Sequence, residues 1–203
     1  MLQAERQAHM ARIIVNNNVT LDGVMQAPAR PDEDERGGFS HGGWAIPYSD
    51  AVMMEQAAKG GATSGALLLG RRTYEDFYSV WPNRPDNPFS AILTNTLKYV
   101  ASRSLSEPLP WANSTLLQGD AADAVAELRR QPGKDIVILG SGDLIQSLMR
   151  RNLIDEYRLL IHPLVLGSGR RLFLDSGPFA TLRLISTTPT TTGVIIATYQ
   201  PAG

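Results

Sequence analysis

The chain has 203 residues, 43% of them hydrophobic and 19% charged, with a formal net charge of −1 and no cysteine. That length and balance fit one sizeable globular domain, and the near-neutral charge without a long basic block argues against nucleic-acid binding as the main task. The lack of cysteine excludes disulfides, thiolate metal sites and a cysteine nucleophile, and His9, His41 and His162 show no ligand spacing, so no metal site is expected.

No apolar run reaches transmembrane length. Residues 1–10 are polar, without a signal-peptide core, and read as an N-terminal extension with Met10 a candidate native start. One domain is expected over 11–203, in a cytoplasmic protein with no membrane partner.

Arg12 to Asn17 begins as a strand with Ile13, Ile14 and Val15 as its buried run. Thr20-Leu21-Asp22-Gly23-Val24 follows. Asp22 reads equally as turn chemistry or as a carboxylate pointing into a cleft from a strand end. Gln26 to Pro47 is a long irregular segment with prolines, glycines and the acidic run Asp32-Glu33-Asp34-Glu35. Loops of this length in a compact domain are usually functional or disordered. Phe39 and Trp44 favour a lid or site wall, because aromatic side chains need packing partners. The acidic run reads as a solvated face.

Ser49-Asp50 starts a helix to about Lys59, which Gly60-Gly61 is expected to end. Asp50 is either a charge favoured by the helix dipole or a buried carboxylate facing substrate. Ala66 to Leu69 is a short strand, and Gly70-Arg71-Arg72-Thr73 opens a helix to about Val80. Two arginines at a helix start oppose its dipole unless an anion sits there.

Ala91-Ile92-Leu93 and Lys98 to Ala101 read as strands, the second ending in the polar, basic turn Ser102-Arg103-Ser104. Thr115 to Leu117 is a strand and Asp120 to Arg130 an amphipathic helix. Asp135-Ile136-Val137-Ile138-Leu139 then stops abruptly at Gly140-Ser141-Gly142, and Asp143-Leu144-Ile145 begins a helix. A strand, a glycine turn and a helix N-terminus suit a pyrophosphate, although many such turns serve packing alone. Glu156 to Ile161 alternates as a strand. Gly167-Ser168-Gly169-Arg170-Arg171 reads as a structural turn, and Leu182 to Ile185 with Val194 to Tyr199 as an antiparallel hairpin. The order predicts an α/β domain: a mostly parallel central sheet flanked by helices, with antiparallel C-terminal strands and a ligand across the carboxyl ends of the strands.

Leu21-Asp22-Gly23, Leu69 to Glu75, Ala101 to Ser104 and Ile138 to Asp143, in this order and spacing, resemble the dihydrofolate reductase-like superfamily. The closer match is to the C-terminal reductase domain of the bifunctional riboflavin-biosynthesis deaminase-reductase. Leu153 to Tyr157 and Pro163 to Gly169 extend that similarity. The resemblance implies NADPH as cofactor and a hydride transfer resembling that of 5-amino-6-(5-phosphoribosylamino)uracil reductase. It also implies that Gly70, Arg71, Arg72, Thr73, Ser102, Arg103 and Ser104 hold the adenosine phosphate and pyrophosphate. Gly140, Ser141, Gly142, Asp143, Leu144 and Ile145 would cover the pyrophosphate, and Asn16 would border the nicotinamide.

Asp22 and Asp50 are the candidate catalytic residues, and Asp22, Trp44 and Asp50 the candidate substrate contacts. A dihydrofolate or pterin reductase, with Asp50 holding the pteridine, is the second reading, and a non-catalytic nucleotide- or flavin-binding protein the third. Arginines and hydroxyls without an interrupting acid predict NADPH over NADH. The apolar edge of the last hairpin predicts a homodimer.

Overall fold

The computed structural model describes residues 10–202. Eight strands form one sheet in the order β4-β3-β2-β5-β1-β6-β8-β7. They are β1 (Ile13–Thr20), β2 (Ser64–Gly70), β3 (Leu97–Ala101), β4 (Ser114–Leu117), β5 (Asp135–Leu139), β6 (Glu156–His162), β7 (Leu182–Pro189) and β8 (Ile195–Pro201). The first six run parallel, while β8 pairs antiparallel with both β6 and β7. The helices are α1 (Ala51–Thr63), α2 (Arg71–Val80), α3 (Pro88–Asn95), α4 (Ala121–Arg129) and α5 (Gly142–Arg150). The expected α/β architecture, mostly parallel with an antiparallel C-terminal edge, is what the chain adopts.

The central strands are apolar on both faces, as parallel strands sandwiched between helices must be. Ile13, Val15, Leu68, Ile136 and Ile138 pack with Val125 of α4 and with Ile145 and Leu148 of α5. Ile14, Leu67, Leu69 and Val137 pack on the opposite side with Tyr74 of α2 and Leu93 of α3. At the amino ends of the strands, Arg12 grips Asp135 with Nε at 3.1 Å and Nη2 at 2.6 Å, and reaches Glu156 at 3.2 Å. These contacts tie β1 to both neighbours and leave the carboxyl ends free for a ligand.

Two local expectations are corrected. Ala91-Ile92-Leu93 lies inside α3, not in a strand. Three consecutive apolar residues do not distinguish the two periods. The decisive signal is Asn87-Pro88, with the Asn87 side chain accepting from Phe89 N at 2.9 Å and Pro88 at the first helical position. Lys98 then closes that helix. Its buried ammonium donates to the carbonyls of Leu93 (2.8 Å), Thr94 (3.2 Å) and Thr96 (2.7 Å) and sits 4.4 Å from the centroid of the Trp111 ring. Gly60-Gly61 does not end α1, which continues to Thr63, where the Thr63 and Ser64 hydroxyls both donate to Gly60 O. Residues 1–9 of the expected extension lie outside the described residues. Among the described residues no helix is long and apolar enough to cross a membrane.

Candidate functional site

A cleft of about 1340 Å³ opens across the carboxyl ends of the strands. Asn16 to Asn18 of β1, Gly70 at the end of β2, Ala101 of β3 and Leu139 of β5 form its floor. The β2–α2 and β5–α5 turns meet there, and their sequences explain how. Gly140 adopts φ +59°, and a Cβ on it would come within 3.2 Å of Thr73 Oγ1, so glycine allows the two turns to touch. Ser141 is also left-handed at φ 57°. Its amide donates to Thr73 Oγ1 at 3.2 Å, its hydroxyl lies 3.1 Å from the same oxygen and 3.0 Å from Leu139 O, and it accepts from Gly70 N at 2.9 Å. Asn17 clamps Gly140 from below, accepting from its N–H at 2.8 Å and donating to its carbonyl at 3.2 Å.

Because Ser141 is engaged in this way, it does not cap α5. Gly70 has no side chain to cap α2. The other three helices are capped by side chains, α1 by Asp50, α3 by Asn87 and α4 by Asp120. First-turn N–H groups have no partner within a helix, so α2 and α5 present open donors and the positive ends of two dipoles to one cleft. Arg72 and Arg103 border it without an ion-pair partner among the described residues, while Arg71 pairs with Glu75 at 2.9 Å. This arrangement can hold an extended polyanion.

The opposite end is walled by the long loop and by Gly169 to Arg171. Gln26 joins the two. Its Nε2 donates to the carbonyls of Asp34 (3.0 Å) and Arg36 (2.9 Å), and its Oε1 accepts from Arg170 N at 2.9 Å. Arg30 latches the loop to α2 through Asp76, at 2.6 and 3.3 Å. Burial pushes the Glu33 carboxyl above its ordinary range, although the amides of Ala29 and Arg30 oppose the shift.

Asn16, Gly70 to Thr73, Ser102 to Ser104 and Gly140 to Leu144 all line the cleft. Ile145 does not; its side chain is fully buried in the core. The three proposed substrate contacts do not line it either. Asp22 accepts from Thr20 Oγ1 (2.6 Å), Leu166 N (3.2 Å) and Gly167 N (2.8 Å); the Thr20 bond leads in holding its carboxyl below the ordinary range. Asp50, instead of being a buried carboxylate facing a ligand, caps Met53 N at 2.9 Å and accepts from Thr191 N and Oγ1 at 2.7 and 2.8 Å. The Met53 contact leads in lowering its pKa. Trp44 is buried among Val24, Ala27 and Phe39 and donates to Gln26 O at 2.7 Å, so it supports the wall from behind.

Several cleft residues escaped the sequence reading. The run Asn16-Asn17-Asn18 in an otherwise apolar strand was the available signal, since asparagine is depleted in strands. Gly169 to Arg171 looked like a plain turn because no helix follows it. Gln146 and Arg30 carried no local signal.

The model of the RibD C-terminal domain matches residues 11–196. The uncharacterized protein YyaP of Bacillus subtilis (strain 168) is 28% identical over 193 residues, covering 93% of this chain and 94% of that protein. Among solved structures, a Shewanella sp. PV-4 protein ascribed to riboflavin biosynthesis superposes with a TM-score of 0.69 at 22% identity, covering 96% of this chain and 100% of that one. Dihydrofolate reductase of Enterococcus faecalis, complexed with NADP(H), gives 0.60 at 14% identity, covering 95% and 97%. At these identities the likeness to the solved structures is one of fold.

Proposed function

The chain belongs to the RibD C-terminal domain family, and on that premise we propose that it is an NADPH-dependent reductase of a small nitrogen heterocycle. A pyrimidine intermediate of the riboflavin-pathway type is the first candidate. The observation that carries this reading is the pair of uncapped helix N-termini, α2 and α5, opening into one cleft beside Arg72 and Arg103, which have no ion-pair partner among the described residues. This donor set fits a dinucleotide with a third phosphate on its adenosine ribose. Amides of Gly142 to Leu144 and of Arg71 to Thr73 would bind the pyrophosphate. Arg72 and Arg103, with the hydroxyls at Ser102 and Ser104, would bind the ribose phosphate through charge-assisted bonds.

When bound, NADPH supplies a hydride. The chain's own task is to hold the acceptor against it and keep water out. Asn16 to Asn18 form the floor where the two molecules would meet, and the latched long loop forms the cover. Neither Asp22 nor Asp50 is proposed as an acid, since each carboxylate is already committed to backbone and hydroxyl donors outside the cleft. The position of Asp50 also removes the feature on which a pterin reductase reading rested.

The protein is further proposed to pair with a second copy through its last hairpin. No residue of β7 is buried, and Leu184, Ile185 and Ile195 are exposed; a bare apolar edge of this kind needs cover. Following NADPH absorbance with a panel of flavin-pathway pyrimidines and pterins tests the activity. Oxidation with a pyrimidine supports it. Binding of NADPH without oxidation across the panel would favour a non-catalytic binding protein.

A further inference from the structure

One buried amide sets the backbones of two arginines in the lining of the cleft. Gln26 is 4% exposed. Its Nε2 donates to the carbonyls of Asp34 and Arg36, and its Oε1 accepts from the amide of Arg170. Met25 N donates to Arg170 O at 2.9 Å and fixes the same residue from its other side. Two segments far apart in sequence thereby bring Arg36 and Arg170 to one cleft in a set relation.

Their side chains are held as well. Arg36 lies side-on to Asp34, with Nε donating to Oδ1 at 2.6 Å and a terminal nitrogen to the other oxygen. Arg170 holds Asp143, in the first turn of α5, through one terminal nitrogen. The two pairs also act on each other. Burial opposes ionisation of Asp34, yet its pKa falls, because the bond from Arg36 and the charges of Arg36 and Arg170 outweigh that cost. The Arg36 guanidinium is raised, first by its bond to Asp34 and also by the charge of Asp143. Two arginines and two carboxylates, drawn from the long loop, the 167–171 loop and α5, thus form one network.

Neither arginine is used up by its carboxylate. A guanidinium carries more N–H donors than one carboxylate can take. Among the described residues the Arg36 side chain donates only to Asp34, which leaves Nη1, and the Arg170 side chain only to Asp143, which leaves Nε and Nη1. Both side chains are partly open, at 38% and 44% exposure. A long cation already held by a carboxylate has less freedom to lose when it meets a ligand, and its planar fork suits phosphate oxygens.

We propose that Arg36 and Arg170 bind a phosphate group of the ligand, separately from Arg72 and Arg103. This rests on the reductase reading and adds to it a second anion contact. The phosphate comes either from the pyrophosphate of the dinucleotide or from the acceptor, and one experiment distinguishes the two.

The parent protein, Arg36→Gln, Arg170→Gln and Asp143→Asn are titrated with NADPH, with NADH and, once saturated with NADP⁺, with ribose 5-phosphate. If the pyrophosphate is the ligand, each arginine variant weakens NADPH and NADH by the same factor, on the order of tenfold, because both cofactors carry it. If the acceptor supplies the phosphate, both cofactors bind as in the parent, and saturable ribose 5-phosphate binding is lost in the arginine variants. Asp143→Asn removes a negative charge beside the site but keeps an acceptor for Arg170, so it should bind phosphate at least as tightly as the parent. Arg170→Lys keeps the charge and should recover part of the lost affinity, which a folding defect would not reproduce. Arginine variants with parental affinity for all three ligands would overturn the proposal. So would an Asp143→Asn variant weakened as much as Arg170→Gln, since the ion pair would then serve only to tie the wall. If neither dinucleotide binds the parent, the reductase reading fails separately. Inorganic pyrophosphate then decides the arginine claim: weaker binding in the variants supports it, and equal or no saturable binding overturns it.

Discussion

His162 provides a stability test that can be worked from its surroundings. Its ring is fully buried, with the rings of Trp44 and Tyr48 packed in T-shaped contacts at centroid distances of 5.1 and 5.5 Å. One nitrogen meets Asn18 and the other, Nδ1, has no partner among the described residues. Protonation would add a charge and a second N–H to a site closed off from bulk solvent. Burial accordingly lowers the pKa from 6.5 to about 4. The unfolded chain binds this proton more readily than the folded one between those values, so the stability is fully present above pH 6.5 and is lost as pH falls towards 4. A difference of this size corresponds to about 3 kcal/mol by pH 4, a large part of the roughly 5–15 kcal/mol that holds a domain folded. Urea unfolding at half-unit steps from pH 7.5 to pH 4.5 measures the slope. His162→Gln retains a donor for Asn18 but does not titrate, and should flatten the profile by most of that amount. Equal slopes in the variant and the parent would refute the reasoning.

Three further outcomes are expected. Lys98→Met keeps the buried stem but leaves the three carbonyls at the end of α3 without their donor, and should cost about 2–4 kcal/mol in equilibrium unfolding; no change would mean that the ammonium is not needed there. Arg30→Ala releases the long loop from Asp76, so residues 26–47 should be cut faster by protease while global stability drops by less than about 1 kcal/mol. Ile185→Lys on the exposed face of β7 should turn the proposed dimer into a monomer by light scattering, and a monomeric parent at micromolar concentration would count against pairing.

The fold was legible because its strands are short apolar runs bounded by glycine, proline or polar turns, and parallel strands buried on both faces announce themselves in this way. That the β2–α2 and β5–α5 turns line the cleft was legible for a related reason. Gly70-Arg71-Arg72 is a local segment whose charge conflicts with its place at a helix start, and Gly140-Ser141-Gly142 is a local strand-to-helix turn. The wall formed by the long loop and residues 169–171 was not legible, because it is built from pairs distant in sequence. Arg30 meets Asp76, Arg170 meets Asp143 and Gln146 meets Leu172, and no spacing rule links them. Asp22 and Asp50 misled because turn-forming and helix-capping carboxylates have the same local signature as catalytic ones. Only the fold shows that their oxygens are already occupied.

The central claim is that Arg72 and Arg103 mark the site of a third phosphate, and comparing NADPH with NADH affinity tests it most directly. The cofactors differ by that phosphate alone, and one charge-assisted bond to it contributes roughly 1.5–3 kcal/mol. NADPH should therefore bind at least about tenfold more tightly to the parent protein. Arg72→Ala/Arg103→Ala should bring the two affinities close to parity by weakening NADPH alone. Arg71→Ala should matter less, because that side chain is already paired with Glu75. Equal affinities in the parent, or a double variant that still prefers NADPH, would contradict the account.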